Sequence, residues 1–235
     1  MVTVSQIVEN GAVQVGITLP NGAAKAFETY YEFLEQQRKK FNLTAITGAE
    51  DVARLHFLDS LALLGSTDFK KTRMIDVGSG AGFPGIPLKL AEPSIDLTLI
   101  DASKKRVAFL SDLCEVLDIA AVCVHARAEE LSRQPDMREQ FDIAASRAVA
   151  RLNMLCELCL PLVRVGGVFL AMKGIDSEEE SREAGNVIKK LGAEPHGIVD
   201  YVIPETDIKH RIIIIKKTSP TPDEYPRRFA KIKKR

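Results

Sequence analysis

Residues 74–85 read Met-Ile-Asp-Val-Gly-Ser-Gly-Ala-Gly-Phe-Pro-Gly. An apolar run ends in a glycine cluster, and Pro84 stands where a helix would open, a place where its missing N–H is not needed. Glycines permit positive φ and let a ligand approach the main chain. Asp101, nineteen residues beyond Gly82, ends a second apolar run, Leu97–Ile100. An acid there can accept both hydroxyls of a nucleoside ribose. The implied chemistry is nucleotide-cofactor binding, and two patterns compete. Gly80, Gly82 and Gly85 match GxGxxG, the dinucleotide fingerprint. Read from Gly78, the stretch is an acid, one residue and GxGxG, the form found around S-adenosylmethionine. A pyrophosphate seeks a helix N-terminus with no carboxylate nearby. A sulfonium amino acid carries an ammonium, which Asp76 would suit.

A third apolar run, Phe141–Ser146, leads into Arg147 and Ala148. Arg147 falls at the carboxyl edge of a strand, where ligands bind in open parallel sheets. No Asn/Asp-Pro-Pro-aromatic motif follows, as methylation of an exocyclic amine would require, and no cysteine is placed to attack a pyrimidine ring. No acid–base pair is evident. Four scattered histidines lack ligand spacing, so no metal is expected. Cys156 and Cys159 form a CxxC inside NMLCELCLPLV, which reads as a buried helical face with reduced core thiols; Cys114 and Cys123 complete a set of four that does not resemble a disulfide framework.

The elements that must position these residues follow from periodicity. The first 20 residues look weakly structured. Phe27, Tyr30, Tyr31, Leu34 and Phe41 recur at helical spacing within 25–41. A second helix is expected over about 49–64, with Leu55, Leu58, Leu61 and Leu64 on its apolar side and Asn42 or Thr47 ending the link before it. Beyond Lys71, strands at 73–77, 97–100, 122–125, 141–146, 168–172 and 197–203 alternate with helices at 84–91, 104–117, 128–131, 151–163 and 177–191. Such alternation implies a parallel sheet covered on both faces. The gap between 197–203 and a last strand at 211–215 is too short for a parallel crossover, so those two should pair antiparallel. That hairpin favours S-adenosylmethionine over a dinucleotide. The expected fold class is α/β: a Rossmann-like, seven-stranded, mostly parallel sheet with an antiparallel last strand. A helical extension should occupy 1–70, the sheet domain 71–218 and a basic tail 219–235.

The 235 residues are 46% apolar, enough for a core, and carry no net charge. The charge is uneven: residues 208–235 hold ten Lys or Arg against two acids, a balance of +8 that leaves −8 on the rest. A basic end of this kind can meet a polyanion. No run is long enough to span a membrane and no secretory signal is seen, so the expected compartment is the cytoplasm.

The segments FNLTAIT (41–47), RLHFLDSL (54–61), IDVGSGAGFPGIPL (75–88), LIDASKKRVAFL (99–110), RAEEL (127–131), SRAVA (146–150), LAMKG (170–174) and YPRR (225–228), in this order, resemble the bacterial 16S ribosomal RNA guanine-N7 methyltransferases, the RsmG or GidB family. The end departs from the family, because Phe229-Ala230-Lys231-Ile232-Lys233-Lys234-Arg235 stands where many relatives have Gly-Thr-Pro. The resemblance implies a class I S-adenosylmethionine-dependent methyltransferase that acts on guanine N7 in the 530 loop of 16S rRNA, naked or in an assembly intermediate, as a monomer. It places Gly78, Gly80 and Phe83 against the cofactor, Asp101, Ala102 and Ser103 at its ribose, Ala128 and Glu129 at its adenine, and Arg147 on the cofactor or substrate side. Unprotonated N7 needs positioning rather than a general base. His56 and Arg147 are the substrate-side candidates, with Asp59 and Ser60 near them. Lys173, Arg227, Arg228, Lys231, Lys233 and Lys234 are the candidate RNA contacts, Lys104, Lys105 and Arg106 can be solvated charges or further contacts, and Tyr225 and Phe229 are weak stacking candidates.

Overall fold

A computed structural model describes residues 2–41, 43–147 and 150–232. Asn42, Ala148, Lys233 and Lys234, named above, lie outside these. The chain opens with helix α1 (Val4–Gln14), where little structure was expected. Its cap is in the sequence: Thr3 accepts from the Gln6 N–H while Gln6 accepts from the Thr3 N–H, a capping box that stabilises a helix by about 1 kcal/mol. Val4, Ile7, Val8 and Ala12 are buried, and Gly11 packs so closely that a Cβ would lie 2.3 Å from Leu58 Cδ1. Helix α2 spans Ala23–Phe41.

The second expected helix forms as four joined pieces: α3 (Ala49–Val52), a π-helical segment (Ala53–Leu58), α4 (Asp59–Leu61) and a 3-10 turn (Ala62–Gly65). Leu58, Leu61 and Leu63 are buried, whereas Leu55 and Leu64 are only half-buried.

The sheet has the order β3-β2-β1-β4-β5-β7-β6, with β1 (Arg73–Val77), β2 (Asp96–Asp101), β3 (Ala121–His125), β4 (Phe141–Arg147), β5 (Val163–Gly174), β6 (Ala193–Val202) and β7 (Lys209–Lys217). The first five strands run parallel, and β7 lies antiparallel between β5 and β6. The expected fold class and final hairpin are therefore present. Helices α5 (Gly85–Ala91), α6 (Lys104–Val116), α7 (Ala128–Leu131), α8 (Leu152–Cys159) and α9 (Glu178–Lys190) supply the crossovers, and α10 (Phe229–Ile232) closes the described chain.

Alternation along the strands sorts the core onto two faces. Met74 packs with α1, α2, the π segment, α5 and α6, whereas Ile75 and Val77 pack with α7, α8 and α9. The N-terminal helices thus share a core with one sheet face. Cys156 and Cys159 are free and buried on the other. Among the described residues, no helix is long and apolar enough to cross a membrane.

Candidate functional site

The glycine loop is pinned from behind. The N–H groups of Gly78 and Ser79 both donate to the Ile100 carbonyl, at 2.9 and 3.0 Å, and Tyr30 Oη donates to the Ala81 carbonyl at 2.6 Å. The glycines serve different ends. A Cβ on Gly82 would lie 2.5 Å from Tyr30 Oη, and one on Gly85 2.7 Å from Leu99 Cδ2, so both are required by packing. Gly80, at φ 60°, has among the described residues only the Gly78 carbonyl oxygen near a Cβ placed on it, at 3.9 Å.

Asp76 does not reach that space. It is fully buried behind the loop, and its Oδ2 accepts from the Gly85 N–H at 2.9 Å. The N-terminal N–H of α5, where a pyrophosphate would seat, is thereby filled by the protein's own carboxyl. Burial pushes the Asp76 carboxyl up to about 7, and its Oδ1 has no partner among the described residues.

In front of the loop lies a cavity of about 430 Å³, whose lining includes Thr44, Gly78, Gly80, Phe83, Asp101, Ala102 and Arg147. The buried Asp101 carboxylate accepts from the Gly80 N–H (3.1 Å) and the Ser103 N–H (2.8 Å), with Arg106 at 3.5 Å. Each oxygen keeps a lone pair for a further donor. Ser103 contributes its main chain to this turn. Ala128 packs into the core, and Glu129 lines a different cavity of about 850 Å³ shared with Arg127, Arg133, Arg228 and Phe229. The two residues expected at the adenine therefore do not line the glycine-loop cavity itself.

Opposite the loop stands a side-chain network centred on Arg147. Its guanidinium lies 4.8 Å from the centroid of the Phe83 ring. Nη1 donates to Asp59 Oδ2 at 2.9 Å and to the Leu55 carbonyl at 3.2 Å. That carbonyl belongs to the π segment, a geometry often found at functional sites. Nη2 donates to His56 Nδ1 at 2.8 Å. A guanidinium only donates, so Nδ1 is an acceptor and the ring proton sits on Nε2. Burial, reinforced by the Arg147 charge, lowers His56 to about 3 and keeps it neutral. His56 stacks on Phe83 with centroids 4.3 Å apart, and its Nε2–H donates to Thr44 Oγ1 at 2.8 Å. Asp59 Oδ1 accepts from Tyr201 Oη and bonds His210 Nδ1, each at 2.7 Å. Despite burial, these donors and Arg147 hold its carboxyl below the usual range, while Asp59 raises His210.

A second cavity, of about 320 Å³, lies beyond this network and shares His56 and Arg147 with the first; Asp59, Lys173 and His210 also line it. The structure thus joins the two substrate-side candidates with Asp59. Ser60 instead turns inward and donates to the His56 carbonyl at 2.6 Å. The Lys173 ammonium is held by Glu180 and the Ala150 carbonyl, both at 2.7 Å. Arg227 is also engaged, through a two-pronged pair with the buried Glu157 at 2.8 and 2.5 Å. Arg228 and Lys231 are exposed. The tail departs from a free arm as far as residue 232: Arg138 donates to the carbonyls of Thr221 (2.7 Å) and Tyr225 (3.0 Å), and Ile232 is buried. Sequence reasoning missed Tyr30, Tyr201 and His210, which carry no motif; Thr44 lies within FNLTAIT but was not singled out.

A family model described as rRNA small subunit methyltransferase G matches residues 23–208. A protein of Caldanaerobacter subterraneus subsp. tengcongensis named Ribosomal RNA small subunit methyltransferase G is 46% identical over 225 residues, 95% of this chain and 94% of that one. Among solved structures, M. jannaschii TYW2 in complex with AdoMet aligns at TM-score 0.50 and 12% identity, covering 71% of this chain and 80% of that one. The Methanococcus jannaschii fibrillarin pre-rRNA processing protein aligns at TM-score 0.51 and 14% identity, covering 65% and 70%. At such identities the two structures speak to fold alone.

Proposed function

The chain belongs to the rRNA small subunit methyltransferase G family, and from that premise we propose that it methylates N7 of a guanine in the 530 loop of 16S rRNA, using S-adenosylmethionine. The observation that carries the cofactor choice is the Asp76 carboxyl on the Gly85 N–H. It closes the helix N-terminus to a pyrophosphate, which removes the main attraction of the dinucleotide reading. What remains suits a nucleoside without phosphate: Asp101 for the ribose hydroxyls, the Phe83 face, and Gly78 and Gly80 allowing close approach to the main chain. AdoMet is the ligand of the TYW2 structural neighbour. When bound, the cofactor supplies an electrophilic methyl on a sulfonium.

The protein's part is to hold two ligands edge to edge. We assign the cofactor to the glycine-loop cavity, with Ala102 and Ser103 at the ribose. The target base enters the second cavity, and His56 and Arg147 stand at the junction. The one unprotonated nitrogen of His56 already accepts from Arg147, so it is not free to take a proton. That fits a reaction at N7, which has no proton to lose. Asp101 and Asp59 offer negative charge near the cation that develops on the purine. Arg228, Lys231 and the basic end beyond them meet phosphates, while Arg227 serves to anchor the tail. In this reading residues 71–218 form the methyl-transfer domain, 1–70 a cover over the cofactor end, and 219–235 the basic tail, working as a cytoplasmic monomer on RNA or an assembly intermediate.

The test is incubation with labelled cofactor and small-subunit RNA from cells lacking this activity, naked or partly assembled, followed by cleavage at N7-methylguanine. A single new cleavage in the 530 loop is expected. Label elsewhere in the RNA, or none on any assembly intermediate, overturns the proposal.

A further inference from the structure

The tail closes a space of its own beside α7. Arg127, Glu129, Glu130, Arg133, Arg228 and Phe229 line a cavity of about 850 Å³, apart from the two that meet at His56 and Arg147. The segment over it is fixed at both ends. The Arg227 backbone N–H donates to the buried Glu157 at 2.7 Å, and its side chain pairs with the same carboxylate. Arg133 donates to the Pro226 carbonyl, and Ile232 is buried among residues of α8 and α9. Between these anchors Phe229 stays 36% exposed. The Arg127 guanidinium carbon lies 5.4 Å from the centroid of its ring, within the range of a cation–π contact. An aromatic ring kept out of the core and backed by a guanidinium is a platform on which a nucleobase can stack.

The charges around the ring suit a nucleotide better than a bare phosphate. Arg227 is committed to Glu157, which leaves Arg127, Arg133 and Arg228 against Glu129 and Glu130. Two acids weaken a site for phosphate alone. Around a nucleotide they have a use, because carboxylates accept from base amino and imino groups while guanidinium groups meet the phosphate. Arg127 follows the end of β3 by two residues, and His125 at that end is in register with Asp101. The platform therefore stands at the same edge of the sheet as the glycine loop, where a single strand can run past both. Bases in a duplex are already stacked on one another and offer no free face.

We propose that Phe229, backed by Arg127 and flanked by Arg133 and Arg228, stacks an unpaired base of the RNA outside the methyl-transfer site, a role that rests on ribosomal RNA being the substrate but not on which of its atoms is methylated. The basic tail then supplies a second, stacking hold on single-stranded RNA in addition to its charge.

The experiment compares wild type, Phe229→Ala, Phe229→Trp and Arg228→Gln. Each is titrated, over a salt series, with a short single-stranded fragment of 16S RNA, with its duplex and with inorganic triphosphate. Phe229→Ala should weaken single-strand binding about 5- to 100-fold and leave the salt slope unchanged, since stacking releases no counterions. Arg228→Gln should instead reduce that slope by about 0.7. The chain has no tryptophan, so Phe229→Trp installs a single reporter at the platform and should bind as wild type does. Its fluorescence should be quenched by the single strand, and not by the duplex, triphosphate or S-adenosylmethionine. This arm keeps the ring, so it still reads the contact should the alanine variant be less stable. Equal single-strand affinity in wild type and Phe229→Ala overturns the proposal, as does a tryptophan left unquenched on bound RNA. Quenching by S-adenosylmethionine alone also overturns it, by making the cavity part of the cofactor site. Methyl transfer to small-subunit RNA is followed in parallel; if wild type neither binds nor methylates any RNA, the underlying reading fails and takes the proposal with it, a result distinct from the others.

Discussion

The wall formed by the glycine loop is mostly main chain, and the wall opposite, around Arg147, is mostly side chain. Residues 76–103 build the first within one strand–helix–strand unit. Residues 44, 56, 59, 147, 201 and 210 build the second from an N-terminal loop, a π segment, α4 and three strands. The first is stabilised by local turns and tolerates an open edge. The second concentrates charge: Asp59, 1% exposed, depends on Arg147, His210 and Tyr201 together. A local wall can be tuned for a ligand with little effect on the fold. A wall assembled from distant segments couples ligand recognition to stability.

The sharpest way to break this comparison is Arg147→Ala. It removes four hydrogen bonds and a countercharge of a buried carboxylate. Losing one partner of a buried pair costs about 3–5 kcal/mol, so the denaturation midpoint should fall steeply and activity with it. Arg147→Lys should recover little, because an ammonium cannot reproduce the fork that spans Asp59 and His56. A midpoint within 1 kcal/mol of wild type would show that the network adds nothing to the fold.

Asp76→Asn probes the first wall at the buried acid behind the loop. The folded Asp76 carboxyl is raised to about 7, against about 4 in an unfolded chain. A raised pKa means that its contribution to stability is present below pH 4 and is lost as pH rises through 7. Asparagine can still accept from Gly85 but does not titrate. The stability difference should therefore move in favour of the variant between pH 4 and 7, by up to roughly 4 kcal/mol, and level off above. Urea midpoints at pH 4.5 and 8 measure it. A difference that stays flat would mean that Asp76 keeps its charge when buried.

The same contrast explains what could be read beforehand. The glycine loop, Asp101 and the sheet followed from patterns within a few residues, because strands and turns impose short periods. The capping box at Thr3 and Gln6 was equally local but was passed over in a stretch of modest hydrophobicity. The π segment left no such mark: helical spacing put Leu55, Leu58, Leu61 and Leu64 on one apolar side, and all four lie in or against the core, but the wider turn itself cannot be read from that spacing. Tyr201 and His210 could not have been placed at Asp59, more than 140 residues away, without knowing that β7 inserts beside β5. For the tail, the positive charge was legible but not its anchoring, since Glu157 gives no sign that it receives Arg227.

Gly80→Ala should have the smallest effect on the fold and locates it on the ligand side. Its φ of 60° is a conformation that alanine adopts at a cost of about 1–2 kcal/mol, and beyond its chain neighbours the Gly78 carbonyl oxygen is the one atom of the described residues within 4 Å of the added methyl. Stability should drop by about that amount and no more. Gly82→Ala, whose methyl would meet Tyr30 Oη at 2.5 Å, should lose more. For ligand binding the order of importance shifts, because the methyl on Gly80 would project into the cavity in front of the loop and hold a ligand off the main chain. Calorimetry with S-adenosylmethionine should then show a larger loss than the folding penalty explains. Were affinity unaffected while Gly80→Ala destabilised as much as Gly82→Ala, the open edge at Gly80 would belong to the fold and not to the ligand.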